Sequence, residues 1–303
     1  MFIFRAVPDI SDEFLSVYSL ASILSKSTLV GLLPLASDNY LPKFNIEQLK
    51  IFSNDIEPHS PCIWCGLPKS YSTISELNIG YVNLWRENIK NYDILNILDF
   101  YFILGENNFF YPHEAIFNNN NCGVFLYALP KLDREIWLAV EAWMISNCEE
   151  PLKIFAPFQD RNAYINKIKE LRIKHNCSKE CFLTTPNLFS PEELNYEIAS
   201  SSMVLDLQVH KSISYPSMIA ISSGIAAIGT DLTFPEPLYV VQKNSSERIT
   251  DGSRMNGEIF HKYSLEDVVN KINEVVEYGC TYTCQYNNSS YIRDFMLNIK
   301  SFV

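Results

Sequence analysis

Short apolar runs alternate along the chain with stretches in which apolar residues return every three or four positions, the pattern of strands and helices following one another. In the first half, residues 2–7 predict a buried strand and 11–24 a helix with Ser11 as N-cap. Further runs of strand length cover 29–35, 49–52, 62–67, 79–84 and 100–104, with polar or helical segments between them. The polar run 118–121 is the clearest punctuation in the chain and marks a hinge.

After the hinge the alternation becomes regular. Residues 124–129 read as a strand, and 133–146 as a helix capped by Asp133, with Ile136, Val140 and Trp143 at helical spacing. A strand at 152–158, an amphipathic helix at 161–175 and a short strand at 181–184 follow. Ser190 caps a helix running to 200, with Glu192 and Glu193 in the first turn where carboxylates oppose the helix dipole. Residues 203–209 form a strand, 216–223 a helix with Pro216 in its first turn and Gly224 at its end, and 226–229 a strand. Single helices between strands imply an α/β protein with a parallel sheet and right-handed crossovers.

A length of 303 residues suits two Rossmann-sized units, here 1–118 and 119–303. No apolar run is long enough to span a bilayer, and the apolar start lacks a basic segment and runs at once into Asp9, Asp12 and Glu13, unlike a signal peptide. A cytoplasmic protein is expected, with room for peripheral contact with a membrane. The net charge of -11 argues against broad contact with nucleic acid, whose binding draws on Lys and Arg. The cysteine pairs 62/65, 177/181 and 280/284 could ligate zinc if two pairs met. Cys62 and Cys65, however, lie in a strand-like run, where i and i+3 point to opposite faces, and reduced thiols are the other reading.

Four segments, in this order, resemble the C-terminal domain of GT-B glycosyltransferases, in particular the large retaining family that includes sucrose synthases and many cell-surface polysaccharide enzymes. "VFLYALPKLDREIWLAVEAW" is similar to that family's strand, basic turn and helix, and "PLKIFAPFQD" to its second strand. "LFSPEELNYEIASSSMVLDLQ" matches its cap, helix and strand, and "SYPSMIAISSGIAAIGTD" its loop, helix, small-residue turn and strand. Upstream, "NIGYVNLWRENIKNYDILNILDFYFILGENN" resembles the end of the N-terminal domain. The resemblance implies a GT-B fold with two Rossmann-like domains facing a cleft, a shortened acceptor domain at 1–118 and a nucleotide-sugar-binding domain at 119–303.

It also implies the transfer of a sugar from a nucleotide diphosphate donor to a glycan, lipid-linked or small acceptor, with no cofactor and no metal. Basic side chains and helix N-termini would stabilise the leaving diphosphate. Aligned on the family, Arg134 takes the place of the turn lysine, and Lys131 stands in for an arginine whose position falls on Leu129. Both are equally explained as solvated charges at a helix start. The loop after the strand at 203–209 offers His210, Lys211, Ser214 and Tyr215 to the donor. The family's two glutamates of this stretch fall on Lys211 and Ile219, and Ile219 cannot accept a hydrogen bond from a ribose hydroxyl. The loss of both favours the alternative of a catalytically degenerate GT-B protein acting as a binding or partner subunit. In the N-terminal domain Asp9 and His59 are the candidates for a general base, while Asp12 and Glu13 also read as helix-start carboxylates.

Overall fold

A computed structural model of the chain describes residues 2–6, 15, 21, 30–34, 49–51, 62–65, 78–82, 100–103, 122–128, 135–156, 161–185, 189, 191–209, 212–234, 237–248 and 259–279. The chain divides into two compact units: Met1–Glu114 with Asn187–Glu192 and Gln285–Val303, and Ala115–Pro186 with Glu193–Cys284.

The sheet of the first unit is built from β1 (Phe2–Ala6), β2 (Val30–Pro34), β3 (Leu49–Ile51), β4 (Cys62–Cys65), β5 (Asn78–Val82) and β6 (Phe100–Ile103). Each strand falls on one of the apolar runs of the first half. Their order is β3-β2-β1-β4-β5-β6, and every neighbouring pair is parallel. Between β1 and β2 in sequence, Leu15 and Ala21 are helical and buried, on the helix expected there.

From the hinge onward the elements are β7 (Val124–Tyr127), α1 (Ile136–Ile145), β8 (Leu152–Phe155), α2 (Arg161–His175), β9 (Cys181–Thr184), α3 (Pro191–Ala199) and β10 (Met203–Asp206). There follow β11 (Ser212–Ile213), α4 (Tyr215–Ser222), β12 (Ala226–Thr230), β13 (Thr233–Phe234), β14 (Tyr239–Val241), β15 (Lys243–Arg248), β16 (Ile259–Tyr263) and α5 (Leu265–Tyr278). The second sheet runs β14-β12-β10-β7-β8-β9, again parallel throughout. Counted from its own first strand, this is the order of the first sheet, the doubly wound arrangement of dinucleotide-binding folds. A parallel pair β11–β13 and an antiparallel ribbon β15–β16 complete the described strands.

Every residue of β7, β10 and β12 is buried, as in a sheet covered on both faces. Alternate residues Val124, Leu126, Met203, Leu205 and Ile228 pack in one core with Val140 and Trp143 of α1, Ile168 and Leu171 of α2, and Ile272 of α5. On the opposite face Phe125 stacks on Phe155 of β8 with ring centroids 4.7 Å apart. The Trp143 indole N–H donates to Glu150 O at 3.0 Å. Lys179 Nζ donates to the carbonyls of Trp143 (3.0 Å) and Ser146 (2.6 Å), neutralising the end of α1 where helix carbonyls lack partners.

Helix α4 carries both of its ends in its sequence. Ser214 caps it by accepting the Ser217 N–H at 3.0 Å, and Pro216 occupies the first turn. At the other end Gly224 turns left-handed (φ 72), so that Ile225 N–H reaches Ala220 O (2.8 Å) and Gly224 N–H reaches Ile221 O (3.2 Å), a Schellman closure that glycine allows. Helix α1 departs from expectation: it starts at Ile136 with Glu135, not Asp133, in the N-cap position, and Glu135 makes no side-chain cap bond. Its backbone N–H instead donates to Leu207 O at 2.8 Å, so a tertiary bond replaces the local cap. Among the described residues no helix is long and apolar enough to cross a membrane.

Candidate functional site

In the second sheet the direction of winding reverses between β7 and β10, where open parallel sheets present ligand contacts at the carboxyl ends of their strands. The chain leaving β10 there is held carbonyl by carbonyl. Asp206 O accepts from Thr233 Oγ1 (3.2 Å) and from Gln208 N (3.1 Å). Leu207 O accepts from Glu135 N (2.8 Å), and Gln208 O from Tyr263 Oη (2.8 Å) and Thr230 Oγ1 (3.0 Å). Val209 O accepts from the backbone N–H of His261 at 3.3 Å. The sequence predicts a strand as far as Val209, but the strand stops at Asp206 because these later carbonyls are bound by side-chain hydroxyls and by the backbone N–H groups of Glu135 and His261 instead of by strand neighbours.

Beneath this loop lies a buried polar cluster. The Asp206 carboxylate, fully buried, accepts from Gln208 Nε2 and from Ser217 Oγ of α4, both at 3.0 Å. It thereby ties the end of β10 to the first turn of α4. Thr233 Oγ1 also accepts from Thr230 N at 3.0 Å, which joins the end of β12 to the same cluster. The buried Gln208 Oε1 has no hydrogen-bond partner among the described residues. Glu135, at the start of α1, has its carboxyl pushed above the usual carboxylate range by burial, with the charge of Lys262 opposing the shift.

Close approach to this cluster restricts β12. A Cβ on Gly229 would stand 2.8 Å from Pro237 Cγ and 2.9 Å from Thr233 Oγ1, the atom that holds Asp206 O. Gly229→Ala should therefore destabilise the protein by about 1–3 kcal/mol through overpacking. A melting temperature equal to that of the wild type would show that Thr233 and Pro237 yield freely.

Of the residues singled out from sequence, Asp9, His59, Lys131, Arg134, His210 and Lys211 lie outside the described residues. Ser214 and Tyr215 are described, and both are fully buried. Ser214 is the cap of α4, and Tyr215 donates its hydroxyl to Asn195 Oδ1 of α3 at 2.7 Å. The first turn of α4 uses two of its amides internally, Ser217 N on Ser214 Oγ and Met218 N on Ser214 O. It offers an anion its dipole but not those two hydrogen bonds. Ile219, aligned with the family's second glutamate, is buried in α4. The bond from Glu135 to Leu207 joins the start of α1 to the chain leaving β10 at the β7–β10 switch point, one residue after Arg134 and three before His210 in the sequence.

Sequence reading missed Asp206, Gln208, Ser217, Thr230, Thr233 and Tyr263. A carboxylate inside the run "MVLDLQV" is a legible signal, since an acid is seldom buried unless it is bonded. No local signal marks Tyr263, which sits 55 positions from the carbonyl it binds. Among the described cysteines, Cys122, Cys148, Cys177 and Cys181 are free thiols. Burial pushes Cys181 up to about 11 against the opposing charge of Arg172.

No protein-family model matches the chain, and no curated protein matches it in sequence. Solved structures do match its fold. The Anabaena protein Alr3699/HepE, in complex with UDP and glucose, superposes with a TM-score of 0.56 at 9% identity, covering 99% of both chains. The sucrose-phosphate synthase of Thermosynechococcus elongatus gives a TM-score of 0.58 at 8% identity over 99% of this chain and 98% of that one. An alpha-glucosyltransferase in complex with UDP and a 13-mer DNA gives 0.58 at 10% identity over 98% of each. With its two doubly wound sheets of the same strand order, this chain shares the GT-B fold of those structures.

Proposed function

We propose that the chain is a glycosyltransferase that binds a nucleoside diphosphate sugar at the β7–β10 switch point and transfers the sugar to a glycan, lipid-linked or small acceptor. The observation that carries this reading is the bond between the start of α1 and the chain leaving β10. Glu135 N bonds Leu207 O, while the carbonyls on either side of Leu207 are anchored independently, so the start of α1 and residues 206–208 are held in fixed relation. Preorganisation of that kind matters for a charge that develops only during reaction. The UDP in the HepE and alpha-glucosyltransferase structures supports a nucleoside diphosphate as the group bound.

In this reading Lys131 and Arg134 steady the departing diphosphate, with Lys211 adding charge from the second loop, His210 contributing a hydrogen bond and the α4 N-terminus its dipole. Ser214 and Tyr215 shape the second loop by capping and by anchoring it to α3. No metal is required, because basic side chains supply the positive charge. Asp9 and His59 are the candidates for activating an acceptor in an inverting reaction. The buried Ile219 favours a second reading, in which donor binding is lost and the protein acts as a binding or partner subunit.

Thermal unfolding with UDP, GDP, ADP and their sugars at millimolar concentration separates the two. A ligand at about a hundred times its Kd adds about 2.7 kcal/mol of apparent stability, which moves the melting point by several degrees. One base should do so, and Arg134→Ala should then weaken that nucleotide about tenfold, the loss of one charge-assisted hydrogen bond. Unchanged melting with every nucleotide leaves the partner-subunit reading, and unchanged affinity in Arg134→Ala removes that residue from the site.

A further inference from the structure

The ribbon β15–β16 leaves the sheet directly after edge strand β14 and returns through Ser264 to α5. Residues 242–247 are exposed, and the ribbon is joined across by surface contacts, Glu247 to Lys262 at 2.7 Å and Ser246 Oγ to His261 Nδ1 at 2.9 Å. Two strands alone, with pairs of this kind, have little stability of their own. The inner end of the ribbon is different. Tyr263 is buried and donates its hydroxyl to Gln208 O, and the next alternate residue, His261, donates its backbone N–H to Val209 O.

The loop needs such donors. Gln208 Oε1 is buried without a partner among the described residues, which disfavours the conformation that the loop adopts, so bonds to the loop's backbone add to the one its Nε2 makes with Asp206. Burial also keeps the Tyr263 hydroxyl well above the usual tyrosine range, with the charges of Asp231 and Glu135 acting in the same sense, so it remains a donor.

We propose that the β15–β16 ribbon is a positioning element for the loop between β10 and α4, with Tyr263 as its positioning residue. Its bearing on a donor rests on the nucleoside diphosphate reading above; its hold on the loop does not. Through Gln208 O and Val209 O the ribbon sets the path of the backbone immediately before His210 and Lys211, so its docking governs how well the loop is arranged for an anion.

The test is amide hydrogen exchange on the full chain, together with calorimetric titration of UDP, ADP and GDP. Tyr263→Phe removes only the hydroxyl. Tyr239→Phe serves as the control, because it removes a similar hydroxyl-to-carbonyl bond, to Gly279 O at 2.7 Å, at the far end of α5. Expected is about tenfold faster exchange at 207–218 in Tyr263→Phe, with wild-type exchange there in Tyr239→Phe and in both variants at 124–127. Equal exchange at 207–218 in wild type and Tyr263→Phe overturns the proposal whatever the titrations give. Where the wild type binds one of the nucleotides, Tyr263→Phe should raise its Kd about tenfold and Tyr239→Phe leave it unchanged; equal Kd values in Tyr263→Phe and wild type overturn the link to the donor. A wild type that binds none of the three sinks the donor reading instead, and the exchange result still decides whether the ribbon holds the loop. Thr230→Val, which removes the second hydroxyl from Gln208 O and the neighbour of the Tyr263 hydroxyl there, should also speed exchange at 207–218, and it gives a second measure of the anchor should Tyr263→Phe fold poorly.

Discussion

Asp206→Ala should lower stability by about 2–5 kcal/mol, the largest loss expected from any single change at the candidate site. The carboxylate receives Gln208 Nε2 and Ser217 Oγ in the interior, and alanine leaves both donors buried without an acceptor. Leaving a buried donor unmade costs about 1–3 kcal/mol, more than the net gain of forming an ordinary hydrogen bond. Asp206→Asn distinguishes this cause from simple loss of volume. It keeps the shape and one acceptor oxygen, so its loss should be roughly half as large, and Ser217→Ala combined with Asp206→Ala should cost less than the sum of the two alone. Urea unfolding followed by tryptophan fluorescence, to which Trp137 and Trp143 of the same unit contribute, reads all of these. A fall below about 1 kcal/mol for Asp206→Ala would mean that water or a rearranged loop takes over the two donors.

Trp143→Ala should cost about 3–5 kcal/mol and act on the opposite side of the fold. The indole is fully buried in the core between α1, α2 and α5, and its removal leaves a cavity that a parallel sheet covered on both faces cannot close. Two polar contacts depend on its placement, the indole N–H on Glu150 O and Lys179 on the Trp143 carbonyl, with the ammonium 5.5 Å from the ring centroid. Trp143→Phe fills most of the space but abandons Glu150 O, so it should fall between alanine and wild type. Thermal unfolding followed by circular dichroism measures the series, and a Phe variant as unstable as Ala would place the energy in the hydrogen bond instead of the packing.

The strands of the second sheet up to β12 and helices α1 to α4 were legible because each announces itself locally. Val124–Tyr127 and Met203–Asp206 are short continuous apolar runs, and burial on both faces is what removes the alternation seen in half-exposed strands. Tyr164, Ile168 and Leu171 recur at helical spacing and are the residues that α2 buries. Ser214, Pro216 and Gly224 each satisfy a backbone requirement within a few residues of themselves. Beyond β12 that locality fails. The exposed polar strand Lys243–Arg248 has no apolar period to reveal it, since it is paired by a partner strand whose own sequence lies more than ten residues away.

The candidate site divides in the same way. Sequence alone determined where the strands end and the helices start on either side of the switch point, because those follow from local pattern and the order of elements follows from alternation. It determined too that position 219 is an isoleucine, whose side chain accepts no hydrogen bond. Only the tertiary structure decided how the chain leaving β10 is held: Glu135 on Leu207, Tyr263 on Gln208, His261 on Val209 and Thr233 on Asp206. Each of these bonds closes a loop of about 27–72 residues. Bonds of such span exist because parallel strands bring distant segments side by side, and a hydroxyl or amide carries no mark of the carbonyl it will meet.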